Sequence, residues 1–230
     1  MNAKQISESG EYWKEHLLSW EASAYYKDTQ RKANLWDRLS TVFRGDAMYV
    51  RMHAALEFLR PHLNGRIVLD VGCASGRFAI QLLNAGASKV YGVDISPEAI
   101  QIANEQRMWA GLEDRLEFRL ADVVHPGAPL PKSDLVTALG VIEYFDAKAM
   151  SAFLGNLQTG YFFLDFPDIA RRKQFPTWPL RQVYIRVHKL PGVYLYRLEE
   201  FARLAEPFGF KDIWVVQRDG FYYVTNLPKA

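Results

Sequence analysis

What this sequence is short of narrows it first. It has a single cysteine, Cys73, which excludes an intrachain disulfide and any metal cluster built on cysteines. No apolar run reaches the length of a membrane-spanning helix, and the opening MNAKQISESGEYWKEH holds no apolar core of signal-peptide length. The expectation is a cytoplasmic protein without membrane insertion. Neither sign of charge is in excess, since 28 Lys and Arg stand against 26 Asp and Glu, so nothing global points to nucleic acid or an anionic membrane. His, Asp and Glu nowhere fall into a metal-site pattern, and no metal is expected. What is abundant is apolar. Hydrophobic residues make up 49% of 230, enough for one domain with a substantial core and room for a lid or insertion.

The chain is organised around IVLDVGCASGRF, residues 67–78. Ile67, Val68, Leu69 and Val71 read as a strand buried on both sides, with Asp70 near its carboxyl end. Gly72, Ala74 and Gly76 make a loop without bulk, and a helix follows. A strand of an open α/β sheet that ends this way leaves a ligand crevice above its edge, where backbone N–H groups and the helix N-terminus converge. A dinucleotide loop needs G-x-G-x-x-G, whereas the small residues here are evenly spaced as G-x-A-x-G. No Gly-Lys-Ser/Thr follows either, so a P-loop is excluded.

The second strand, 89–93, runs into Asp94. An acid there lies beside the same crevice and accepts hydrogen bonds from both ribose hydroxyls of an adenosine-containing ligand, with Ile95 against the adenine. The competing role, capping the next helix, belongs to Ser96, because Pro97 and Glu98 follow it. A third strand, 116–120, ends in Ala121-Asp122-Val123, and a fourth, 134–139, runs into GVIEYF at 140–145. This last corner closes the reactive side of the crevice. Leu139 and Gly140 offer backbone for an extended ligand to lie on, and Glu143 and Tyr144 project from the next turn. Glu143 reads equally as a base and as an acid favoured at a helix start by the dipole. His125, alone in a proline-rich loop, reads as a surface residue.

Upstream, 1–63 has apolar residues at helical spacing and reads as helices that cover one sheet face or form a lid. After a fifth strand at 161–166 comes the least regular stretch, 167–196. It interleaves Arg171, Arg172, Lys173, Arg181, Arg186 and Lys189 with Phe175, Trp178, Tyr184, Tyr194 and Tyr196. That pattern is either a solvated charged face or a wall for an anionic or flat acceptor. Two aromatic, β-branched runs, 210–217 and 221–226, then flank Arg218-Asp219-Gly220, a hairpin signal that makes the last two strands antiparallel.

DVGCASG resembles the glycine-rich motif of class I S-adenosylmethionine-dependent methyltransferases, an Asp or Glu followed by three glycines at alternate positions. Ala74 stands where the middle glycine is commonest, and strain follows if the backbone there takes positive φ. The resemblance runs over roughly residues 66–227. It implies an α/β, Rossmann-like, seven-stranded sheet with six parallel strands and one antiparallel, helices on both faces and an N-terminal helical lid. The domain plan is then a lid at 1–63 and a cofactor domain at 64–230 with an acceptor-side insertion at 167–196. The implied cofactor is S-adenosylmethionine, with S-adenosylhomocysteine as product. The implied contacts are Asp70, Gly72, Cys73, Ala74, Gly76, Asp94, Ile95, Asp122 on the exocyclic adenine amine, Val123, Leu139 and Gly140. Tyr25 and Tyr26 ahead of Trp36 resemble an aromatic pattern of small-molecule members, which places Tyr26 at the cofactor. The aromatic N-terminal helices, GVIEYF and the terminal hairpin are loosely similar to magnesium-protoporphyrin O-methyltransferases.

The expected activity is methyl transfer to a small anionic or aromatic acceptor, at oxygen. A carboxylate acceptor needs no base, whereas a hydroxyl must lose a proton, for which Glu143, Tyr144 and His188 are candidates. Two alternatives stand beside it, a methyltransferase acting on a glycan or RNA and a catalytically silent cofactor-binding protein. The acceptor and the oligomeric state are not legible in the sequence.

Overall fold

A computed structural model of the chain describes residues 49–128, 130–167 and 194–229. The described chain begins in a helix, α1, over 49–59, and a 3-10 turn, Arg60–His62, ends it at Pro61. Strand β1 (Ile67–Val71) follows, then α2 (Arg77–Asn84), β2 (Lys89–Asp94), α3 (Pro97–Trp109) and β3 (Leu116–Leu120). The second half runs β4 (Leu135–Ala138), α4 (Ala147–Asn156), β5 (Tyr161–Asp165), α5 (Leu198–Ala205), β6 (Trp214–Arg218) and β7 (Phe221–Thr225). These strands form one seven-stranded sheet in the order β3-β2-β1-β4-β5-β7-β6. Only β7 runs against the rest, since it pairs antiparallel with both β5 and β6. That is the sheet expected from the sequence. Among the described residues no helix is long and apolar enough to cross a membrane.

The alternation of side chains along each strand divides the core in two. Val68, Val90, Leu116, Leu135 and Phe163 pack with Met52, Ala55 and Leu59 of α1, Phe78, Leu82 and Leu83 of α2, and Ala103 of α3. Leu69, Val71, Val136, Ala138, Phe162 and Leu164 pack on the other face with α4 and α5 through Met150, Phe153, Leu154 and Phe201. Phe58 stacks on Phe163 at 5.1 Å and meets Trp214 edge-on, and the Tyr223 hydroxyl donates to the Arg51 carbonyl, so α1 is held across β5, β7 and β6.

Local chemistry fixes the joints. Ser96 caps α3 by accepting from the Ala99 N–H, with Pro97 at the first position, and Asp146 caps α4 through the Ala149 N–H. The terminal hairpin turns on Asp219 and Gly220 at φ +49° and +79°, the two left-handed residues of a type I′ turn. Strand β6 starts at Trp214 rather than at Phe210, because Asp212 at φ +54° breaks the extended run. One crossover is unlike the others: β3 reaches β4 through residues 121–134 without a helix. Asn156 at the end of α4 holds that loop, donating to the Val123 and His125 carbonyls and accepting from the Gly127 N–H.

Candidate functional site

The same alternation that builds the core lays a polar row across the carboxyl ends of four adjacent strands. Asp94 of β2, Asp70 of β1, Thr137 of β4 and Asp165 of β5 all fall on the face covered by α1 to α3, out of phase with Leu69, Val71, Val136, Ala138 and Leu164. Buried polar side chains in such a row need partners, and each finds a different one.

The glycine-rich loop wraps over the end of β2. The N–H groups of Gly72 and Cys73 both donate to the Val93 carbonyl, and the Ala74 N–H donates to Asp94 Oδ2 at 3.0 Å. Gly72, at φ +69°, has no room for a side chain, because a Cβ there would lie 2.2 Å from a Val141 methyl. Ala74 sits at φ +48°, so the strain foreseen for a non-glycine at this position is present. Gly76 at φ +83° delivers the chain into α2.

Asp94 is buried, and its other oxygen accepts from the Ser96 N–H at 2.9 Å. Burial pushes its pKa up, while the backbone N–H groups of Ser96, Ala74 and Ile95 pull it back. Each carboxylate oxygen retains a second lone pair for a ligand hydroxyl. The loop after β3 lies alongside, tied by the Ala121 N–H to the Asp94 carbonyl, and Asp122 closes an Asx turn onto the Val124 N–H. Asp122 is half-buried beside buried Val123. Asp70 is 3% exposed; Oδ1 accepts from the Thr137 hydroxyl at 2.9 Å and Oδ2 has no partner among the described residues. Burial, aided by the charge of Asp94 and opposed by the Thr137 hydrogen bond, raises its pKa to about 7.

The far side of the crevice is a cluster that sequence reading missed. Arg51 of α1 reaches the corner after β4, with its guanidinium about where a Cβ on Gly140 would touch it, and forms a 2.6 Å ion pair with Asp165. Burial lowers the Arg51 pKa, but Asp165, Glu143 and Tyr144 outweigh it and the net shift is upward. Gly140 turns at φ +73°, and Glu143 and Tyr144 lie half-buried on the 3-10 turn Ile142–Tyr144. The chain leaves at Pro167 and returns at Tyr194 beside this corner. The Tyr194 N–H donates to the Glu143 carbonyl, the Tyr196 N–H to the Pro167 carbonyl, and the Tyr196 hydroxyl to the Phe145 carbonyl.

The structure therefore brings Asp70, Gly72, Cys73, Ala74, Gly76, Asp94, Ile95, Asp122, Val123, Leu139, Gly140, Glu143 and Tyr144 to one edge of the sheet. Tyr26 and His188, the part of the expected lid before residue 49 and most of the expected insertion lie outside the described residues.

Residues 68–159 match a family model described as a methyltransferase domain. The curated ribosomal protein L11 methyltransferase of Salmonella arizonae is 50% identical over 58 residues, which is 25% of this chain and only 20% of that relative's own length. Among solved structures, the magnesium protoporphyrin IX methyltransferase of Synechocystis PCC 6803 with bound SAH aligns over 96% of this chain and 97% of its own, at TM-score 0.66 and 21% identity. Human N-acetylserotonin methyltransferase in complex with SAM covers 93% of this chain and 65% of its own at TM-score 0.59 and 16% identity. At these identities the two structures speak for the fold.

Proposed function

We propose, from the premise that this chain carries a methyltransferase domain within the class I S-adenosylmethionine-dependent methyltransferase fold, that it transfers a methyl group to oxygen on a small anionic or aromatic acceptor. The observation that carries the reading is the glycine-rich loop locked to Asp94, with Asp70 and Asp122 on the neighbouring strand ends. The residues fit the cofactor. The loop has no bulk where the backbone must approach a ligand, Asp94 offers lone pairs to a ribose, and Asp70 Oδ2 is a buried acceptor waiting for a donor.

When bound, S-adenosylmethionine supplies an electrophilic methyl on a sulfonium. The protein's part is to hold and to exclude water. Gly72 to Gly76, Leu139 and Gly140 would flank the methionine portion, while Asp94, Ile95, Asp122 and Val123 would hold the adenosine. Burial of the strand ends keeps the site dry, so orientation contributes on the order of several kcal/mol. Glu143 or Tyr144 receives the proton of a hydroxyl acceptor; a carboxylate acceptor gives up none. The porphyrin and serotonin-derived substrates in the two neighbours' names support a small acceptor. We assign the lid to 1–63 and acceptor choice to 167–196, since segments over the crevice select substrates while the scaffold does not. The single buried thiol, Cys73, suits a cytoplasmic protein.

Calorimetric titration of S-adenosylhomocysteine tests the cofactor. Micromolar binding that weakens at least tenfold in Asp94→Asn supports the reading, and no binding by a wild type with a cooperative melt overturns it. Deuteromethyl cofactor offered with phenols and aromatic acids then tests the acceptor atom by product mass, with mild alkali cleaving a methyl ester and sparing an ether.

A further inference from the structure

The two acids of the crevice floor are the same chemical group in unlike surroundings. Both oxygens of Asp94 accept backbone N–H groups, from Ala74 and from Ser96. Among the described residues Asp70 has one hydrogen bond, from Thr137, and its second oxygen is buried without any. Two carboxylates on one sheet face, both out of water, cannot both stay ionised cheaply. The backbone donors decide which one keeps the charge. Two backbone donors favour the charge on Asp94, while Asp70, with one donor and comparable burial, has its pKa raised to about 7.

The elements around Asp70 supply little to change this. Asp94 comes from β2 and Thr137 from β4, and Phe118 of β3 is apolar. Helix α1 carries Arg51 on this face, and that guanidinium pairs with Asp165 of β5. Arg77, at the head of α2, follows the loop directly. A ligand that brings positive charge into the crevice reverses the balance, because the uncapped oxygen then has both a donor and a compensating charge. S-adenosylmethionine brings two positive centres, an ammonium and a sulfonium.

We propose that Asp70 is a proton-exchanging group of the cofactor site, protonated when the crevice is empty and ionised when a cationic cofactor occupies it, so that S-adenosylmethionine binds with release of a proton. The step balances: the carboxylic acid O–H of Asp70 breaks, the proton passes to the buffer, and the carboxylate accepts a hydrogen bond. The inference rests on the cofactor reading above and adds to it a direction of proton flow, outward on loading and inward on emptying.

Titration of S-adenosylmethionine into the full chain at pH 7, in phosphate and in Tris, reads this directly as a buffer-dependent binding enthalpy. The expected result is release of about half a proton per site, because Asp70 titrates near 7 in the empty protein. Affinity should also rise close to tenfold per pH unit below about pH 6 and level off above about pH 8. Asp70→Asn should bind with no proton release. Thr137→Val, which removes the one donor to the Asp70 carboxylate, should keep the release and move the break in the affinity profile to higher pH. Binding enthalpies equal in the two buffers, release that persists in Asp70→Asn, or an unmoved break in Thr137→Val would each overturn the proposal. If S-adenosylmethionine does not bind at all, the cofactor reading itself fails, and this inference with it.

Discussion

The Arg51–Asp165 pair offers the sharpest test of how α1 is joined to the sheet. The two side chains are 13% and 15% exposed, 2.6 Å apart, and separated by 114 positions in the chain. Water replaces a lost partner only in part in this environment. Removing one member of a buried pair costs about 3–5 kcal/mol, because the survivor is left charged in a poor solvent. With some access to water at both groups, about 3 kcal/mol is the fitting figure for Arg51→Met, and for a chain of this length that lowers Tm by about 6–12 °C. Asp165→Asn should cost the same order. Arg51→Met combined with Asp165→Val removes both charges and keeps the volume, so it should recover at least about 1.5 kcal/mol of the summed single losses. Urea unfolding of the four proteins completes the cycle. Single losses under about 1 kcal/mol, or a double variant as costly as the sum of the singles, would refute the claim that this pair is a buried, coupled unit.

Other consequences are as easily measured. Ala74→Gly removes a methyl from a left-handed residue at φ +48° and should stabilise by about 0.5–1 kcal/mol once the added freedom of the unfolded chain is subtracted, seen as a rise in Tm of about 1–4 °C. Asn156→Ala loses three hydrogen bonds to the 121–134 loop and should cost about 2 kcal/mol in urea unfolding, together with weaker S-adenosylhomocysteine binding, because the loop carries Asp122. Asp70 gives a pH signature without any ligand. Its pKa rises from 3.8 when unfolded to about 7 when folded, so the folded state binds more protons between those values and stability falls as pH increases from about 4 to 7. Asp70→Asn should abolish that part of the slope and be the more stable protein at pH 8 by a few kcal/mol, as read from paired denaturation curves.

The features legible in the sequence are those whose cause is local. Alternating or unbroken apolar runs mark strands, Ser96-Pro97-Glu98 marks a helix start, and Asp219-Gly220 marks a type I′ turn, because each depends on residues a few positions apart. The acids at the ends of β1 and β2 were readable for the same reason: a strand end is a local event. Arg51 was not, although it stands at the corner after β4. Its partner lies on a strand that begins 110 residues later, and nothing near either residue marks the encounter. Asn156 was hidden likewise, since an asparagine closing a helix reads as a stop signal until the loop it grips is seen. Asp70 was placed correctly, but its protonation rests on Thr137 and Asp94, which only the parallel register brings beside it.

The segment that leaves the sheet at Pro167 and returns at Tyr194 is tied off at its root by the hydrogen bonds from Tyr196 to Pro167 and from Tyr194 to Glu143. With Pro167 and Tyr196 fastened to each other and Tyr194 to the scaffold, the ends of any connection are fixed at the root, and for a flexible one each doubling of length costs only about 0.6 kcal/mol more. The stem thus behaves as a socket. Sequence and length beyond it can drift, or be exchanged wholesale, while the strand ends that carry Asp70 and Asp94 keep their geometry.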